Sequence, residues 1–287
     1  MIATYTIAVT EPESQSLAIA TASNFLAVGS LVPWIKSDCG LLVSQSFANP
    51  AAAAAALDVL ASSHSLSKAQ EKYLEADKLA NQRQFGLMTT AGEAVLYSGS
   101  DCTPEVESYQ APGMFCLGNM LKAGTVDAMA LAYQQAKSDG LDLAAAMLSA
   151  LRAGQQAGGD KRGKLAAAML IKRVGAGYLG SSDTWLDLRV DAAADPVQDL
   201  EQLYRIFQLY YPQYYSQHWV DCNALDPEQQ AVFKTLIQRL GQDAESSQDF
   251  SQLLAQHNLE PLYDAEQHAV SSLLLEHAPA LLARLAR

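Results

Sequence analysis

Cysteines are few and scattered. Cys39, Cys102, Cys116 and Cys222 form no CxxC pair, so neither a structural zinc site nor a thioredoxin-like motif is expected. A chain of 287 residues also needs no disulfide scaffold to close its core. Histidine is missing where the motifs are densest. His64 is the only one ahead of His218, so a Ser–His–Asp arrangement in the N-terminal half lacks its imidazole. Cations are short as well. Lys and Arg number 19 against 31 Asp and Glu, a net charge of −12, which argues against a nucleic-acid partner because phosphate neutralisation needs a basic face. No apolar run approaches the roughly 20 residues of a membrane span. No basic segment leads into an apolar one at the start. The composition thus predicts a cytoplasmic protein with reduced thiols, no membrane partner, and no metal or cofactor.

What is present reads as segregated runs. TYTIAV and SLAIATAS, joined by EPESQ, predict a hairpin, and GLLVSQSF a further strand. Asn49–Pro50 predicts a helix start, with Asn49 as N-cap, running to about Ala61. A second helix is expected from Ser67, with Gln70 at capping-box spacing. QFGLMTTAGEAVLYSG predicts a hairpin turning at Ala91–Gly92, and MFCLGNML another strand. Helices are expected over 126–138 and 142–156, the second capped by Asp142, followed by strands in KLAAAMLIKR and WLDLRV. Asp195–Pro196 opens a further helix. Strands, two helices, strands, two helices, strands is the pattern of an α+β protein with helices outside its sheets. From about residue 220 the text turns Gln-rich and is expected to be wholly helical, giving domains 1–215 and 216–287.

A threonine heading the first strand raises a specific chemistry. When Thr, Ser or Cys becomes the first residue, its own α-amine serves as general base. That amine has an ordinary pKa of about 8, close to working pH, and the scarcity of histidine then costs nothing. Thr4 is the candidate, and the alternative is an ordinary strand residue, since Thr favours strands.

The chain resembles the DUF1028 family of the Ntn-hydrolase-like superfamily over about residues 3–211. The resemblance rests on Thr4-Tyr5-Thr6-Ile7-Ala8-Val9, on Ala22-Ser23-Asn24-Phe25-Leu26-Ala27-Val28-Gly29 and on Val32-Pro33-Trp34. It continues through Ser44-Gln45-Ser46-Phe47-Ala48-Asn49-Pro50, Gly118-Asn119-Met120-Leu121, Gly158-Gly159-Asp160-Lys161-Arg162-Gly163 and Leu186-Asp187-Leu188-Arg189-Val190-Asp191. It implies a four-layer αββα sandwich, a candidate site for a small-molecule substrate whose identity it leaves open, and a C-terminal helical region similar to peptidoglycan-binding modules. It implies no defined activity. Two departures matter. Met1-Ile2-Ala3 precedes Thr4, so freeing the amine requires a cut after Ala3, and Thr103-Pro104-Glu105 follows Cys102 where the family has C-x-x-W-A-G.

Each further candidate carries two readings. Ser23 orients the nucleophile and Asn24 donates to an oxyanion, or both make a turn. Asn119 recognises an oxyanion or amide beside Gly118, or is a left-handed turn residue. Gln45 points away from Ser44 and Ser46 on a period of two, so one face of its strand holds a polar group. Gln45 and Ser46 are therefore expected to line a polar pocket. Asp160, Lys161 and Arg162 grip an anionic substrate group, or Asp160 fixes Arg162 in place. Cys102 has no local activator and is expected to be inert. The first hypothesis is an amide hydrolase. The second is a non-catalytic ligand-binding or accessory protein on the same fold. A homodimer is expected in either case.

Overall fold

The protein was analysed as a computed structural model that describes residues 4–75, 77–102, 105–240 and 247–285. Met1–Ala3 and Thr103–Pro104 lie outside the described residues. The chain divides into two compact units after Leu200.

In the first unit, β1 (Thr4–Glu11) and β2 (Ser16–Ser23) form the expected hairpin, with β3 (Pro33–Lys36) and β4 (Gly40–Ser46) following. Next come α1 (Pro50–Ser63), α2 (Leu66–Leu74), β5 (Arg83–Thr89), β6 (Ala94–Ser98), β7 (Glu107–Ala111) and β8 (Met114–Asn119). The unit continues with α3 (Thr125–Ser138), α4 (Leu143–Gln156), β9 (Ala166–Arg173) and β10 (Thr184–Val190), and the division falls within α5 (Pro196–Tyr210). Caps fall where short polar side chains precede helical text. Asn49 Oδ1 accepts from Ala52 N at 3.1 Å, and Asp142 Oδ1 from Ala145 N at 2.8 Å. The expected start at Ser67 is corrected: Ser65 is the cap, its Oγ accepting from Lys68 N at 3.4 Å. The short strands β3 and β7 had not been anticipated.

Two antiparallel sheets result, ordered β10-β9-β2-β1-β8-β7 and β3-β4-β5-β6. Ala8, Leu17, Ile19, Phe115 and Leu117 of the first pack against Leu41, Val43 and Met88 of the second. The far face of the smaller sheet, with Leu42, Phe85 and Leu87, is covered by Ala53, Leu57 and Leu60 of α1 and Tyr73 of α2. Helices α3 and α4 contact β1 and β8 of the larger sheet. Both sheets are thus buried on two faces, which is why β1, β2, β4 and β8 are buried nearly throughout rather than alternating. Gly86 allows the close approach of the sheets, since a Cβ there would lie 2.6 Å from the Phe115 ring.

The second unit contains α6 (Pro227–Leu240), α7 (Ser247–Gln256) and α8 (Ser272–Leu285) around buried Leu236, Leu254, Leu262, Val270 and Leu274. It is not wholly helical. Strands β11 (Trp219–Asp221), β12 (Tyr263–Asp264) and β13 (Ala269–Ser271) make a small antiparallel sheet ordered β11-β13-β12. Strands of two or three residues leave no period-two signal in sequence, and pairing alone defines them. No helix among the described residues is long and apolar enough to cross a membrane.

Candidate functional site

Register gathers the candidates. β1 runs antiparallel to both β2 and β8, so its first residue lies beside their last. Thr4 pairs with Ser23 on one side and with Asn119 on the other. Side chains paired in this way share a face, with Cβ atoms about 5 Å apart. That face points at the second sheet, because Thr6, two residues on, donates its hydroxyl to Gln45 Oε1 at 2.7 Å. Thr4 and Asn119 are 0% exposed and Ser23 2%.

Behind this row, buried polar side chains cross between the sheets. Thr21 and Thr6 hydroxyls lie 2.9 Å apart. Gln45 Nε2 donates to Gln84 Oε1 at 2.7 Å, and Asn119 Nδ2 donates to the same oxygen at 3.0 Å. Gln84 Nε2 donates to Gly118 O at 3.0 Å and to Ser98 Oγ at 3.2 Å. The sense of every link follows from one atom. Gly118 O only accepts, so the nitrogen of Gln84 must face it. Gln84 Oε1 then faces Gln45 and Asn119, which must both present nitrogen. Gln45 turns its oxygen to Thr6, whose hydroxyl hydrogen is thereby committed, so that Thr21 is the donor to Thr6. Asn119 is left with Oδ1 on its other side. That oxygen is buried and has no hydrogen-bond partner among the described residues.

Gln45 therefore does carry the polar face that its strand period required. Ser46 ends β4 in a left-handed conformation, φ 65°, with its buried hydroxyl beside the Cys102 thiol. Next to it in the fold, Cys102 Sγ donates to Arg83 O at 3.0 Å. Burial raises the pKa of that thiol more than the neighbouring Ser46 hydroxyl lowers it, which leaves it a poor nucleophile. Asn49 caps α1 and donates from Nδ2 to Asp77 at 3.2 Å. Arg83 in turn holds Asp77 through Nε at 2.9 Å and Nη2 at 3.0 Å, and reaches Phe47 O through Nη1. The SQSFANP text thus contributes Gln45 to the inter-sheet chain, while Ser44 and Asn49 hold the strand-to-helix turn.

The GGDKRG loop forms the next corner. Gly158 and Gly159 adopt φ of 117° and 52°, a reversal that suits glycine. Asp160, 5% exposed, accepts from Asn24 N at 2.8 Å and from Arg162 through N, Nε and Nη2 at 2.9, 3.1 and 2.9 Å. Asn24 Nδ2 closes the loop on Arg162 O at 2.8 Å. Asp160 thereby fixes Arg162 and positions the Ser23–Asn24 corner. Lys161 pairs at the surface with Glu105 at 2.8 Å, a contact worth about 0–1 kcal/mol that solvent readily exchanges. The left-handed residue near Asn119 is its successor, Met120, at φ 53°, while Asn119 itself stays in the strand.

Gln84, Thr6 and Thr21 belong to the inter-sheet chain without being among the residues expected from the sequence. A signal for Gln84 existed: it is a lone amide in an apolar strand, as Gln45 is, and the two are direct partners in the register. A cavity of about 320 Å³ lined by Thr10, Leu17, Asp38, Thr90 and Val174 lies at the opposite end of β1. Among the described residues no cluster of His, Cys, Asp and Glu has the geometry to hold a metal.

Comparison with known proteins bears on the same segment. A family model described as a family of unknown function, DUF1028, matches residues 4–200. The crystal structure of protein SPO2555 from Silicibacter pomeroyi, assigned to the same family, is similar with a TM-score of 0.64 at 26% identity, covering 72% of this chain and 87% of that one. No curated protein matches. The match begins at Thr4 and takes in every residue of the row, the inter-sheet chain and the GGDKRG loop, so the chain belongs to DUF1028, a family of unknown function.

Proposed function

We propose that the protein is an N-terminal-nucleophile-type hydrolase acting on a small amide, with Thr4 as the nucleophile. The buried row Ser23–Thr4–Asn119 carries this reading, because it sets a hydroxyl at the head of a central strand between two polar neighbours. The succession α3/α4, six-stranded sheet, four-stranded sheet, α1/α2 supports an Ntn-hydrolase-like αββα sandwich.

In this mechanism a cut after Ala3 frees the α-amine of Thr4. The amine takes the proton of Oγ1 as Oγ1 bonds to the substrate carbonyl carbon. Asn24 Nδ2 gives one hydrogen to Arg162 O and its second to the developing oxyanion. The carbon–nitrogen bond then breaks, the leaving amine takes the proton from the α-ammonium, and water cleaves the acyl-threonine ester to release the acid. Ser23 orients Thr4, Gln45 and Ser46 wall the site, and the Asp160–Lys161–Arg162 loop contacts the substrate's polar end. The reading also includes a homodimer and an accessory role for the C-terminal unit, similar to peptidoglycan-binding modules.

The test is a chain made to begin at Thr4, screened on a panel of small amides beside the chain that begins at Met1. Turnover is expected only from the first, rising with pH through about 8 as the amine loses its proton, and Thr4→Ala should lower it at least about 1,000-fold. Full rate in Thr4→Ala would overturn the assignment. The complete burial of Thr4 favours a second reading, a non-catalytic ligand-binding or accessory protein. Mass spectrometry separates the two: an intact Met1 in the cell-derived protein supports the second.

A further inference from the structure

The one buried acceptor of the inter-sheet chain that is left over belongs to Asn119, and its sense is set at a distance. Gly118 O requires the nitrogen of Gln84, Gln84 Oε1 requires the nitrogen of Asn119, and Asn119 Oδ1 is consequently turned to the remaining side without a hydrogen-bond partner among the described residues. A buried carbonyl oxygen without a donor is costly. Folded proteins leave few of them, and each calls for a reason, a partner supplied from outside the chain being one. Asn119 is also the cross-strand neighbour of Thr4.

We infer that Asn119 Oδ1 accepts a hydrogen bond from the N–H of the bound amide, so that the site selects primary and secondary amides over tertiary amides and esters. The inference rests on reading the Thr4 row as the amide site. A carbonyl carbon held over Thr4 brings its own nitrogen within hydrogen-bond reach of a side chain about 5 Å away on the same face. An ammonium ligand fits less well. The nearest acidic group of the corner, Asp160, is committed to Arg162 and to Asn24 N, leaving no counter-charge for a buried cation. Gln84 is the positioning residue. It touches no substrate, and it decides which atom of Asn119 the substrate meets.

The experiment titrates the full chain with acetamide, N-methylacetamide, N,N-dimethylacetamide and methyl acetate. The readout is the side-chain amide resonance of Asn119, identified by its loss in Asn119→Ala. The two probes that carry N–H should bind about tenfold or more tightly than the two that lack it. Gln84→Met, which no longer accepts from Asn119, should cut that preference to within about twofold. Gln84→Glu, which as a neutral carboxylic acid donates to Gly118 O and still accepts from Asn119, should keep most of it. A structural role alone would not separate those two variants in this way. Equal affinity for all four probes, or binding by none, overturns the inference. The wild-type series decides the matter even where a variant fails to fold. Selective binding without turnover removes only the catalytic reading, and turnover without N–H selectivity removes only this one.

Discussion

Between its two sheets the first unit carries hydrocarbon at one end and hydrogen-bonded side chains at the other. Around Ala8, Leu17 and Ile19 the gap is filled by Leu41, Met88 and Phe115. Around Thr4 and Thr6 it is filled by Thr21, Gln45, Gln84 and Asn119. The first end stabilises the fold with little demand on orientation, since burial of apolar area is non-directional. The second gains little net energy per hydrogen bond and depends on each partner being present and correctly turned. A protein selected for stability alone would fill both ends with hydrocarbon. The retained polar end, where the buried Asn119 Oδ1 has no hydrogen-bond partner among the described residues, is therefore the part whose composition stability does not explain.

The largest expected effect comes from breaking the apolar end. Phe115 is fully buried against Gly86, and Phe115→Ala should cost about 4 kcal/mol in urea unfolding, with the Asn119 environment spectroscopically unchanged. Next is the ion pair that anchors the polar end. Asp77 and Arg83 are 8% and 9% exposed at their side chains, and Asp77→Asn should cost about 3 kcal/mol by leaving Arg83 buried without a counter-charge. The hydrogen bonds from Arg83 hold the Asp77 carboxyl below its ordinary value of 3.8. A depressed carboxylate pKa contributes stability above the unfolded value, and that contribution is lost as pH falls. Wild-type stability should therefore drop below about pH 4, and the drop should be smaller in Asp77→Asn when melting temperatures are compared at pH 7 and pH 3. The smallest effect sharpens the contrast. Thr6→Val removes the donor to Gln45 while keeping shape, and should cost about 1–2 kcal/mol. A neutral result would mean that water or a turned Gln45 makes good the loss.

How much of this the sequence disclosed depended on range. Caps at Asn49, Asp142 and Asp195 were legible because the cap and the amide it satisfies are three residues apart. Ser67 misled because Ser65 offers the same chemistry two residues earlier. The polarity of Gln45 was legible from the period of its own strand. Its partners were not, since Thr6 and Gln84 are each 39 residues away, Gln84 brought in by strand pairing and Thr6 by the stacking of the two sheets. That Asp160 can hold Arg162 was legible because the contact is only two residues long. Strands β11, β12 and β13 stayed invisible because they exist through pairing rather than through alternation.

The inter-sheet chain takes its direction from Gly118 O, and that atom belongs to the main chain. Mutation cannot delete a carbonyl from the backbone. Any side chains that replace Gln84 and Asn119 over evolutionary time inherit the same instruction: present nitrogen toward the carbonyl, and carry the alternation outward from there. The identity of the amides is free to drift, while the handedness of their arrangement is held by the strand itself.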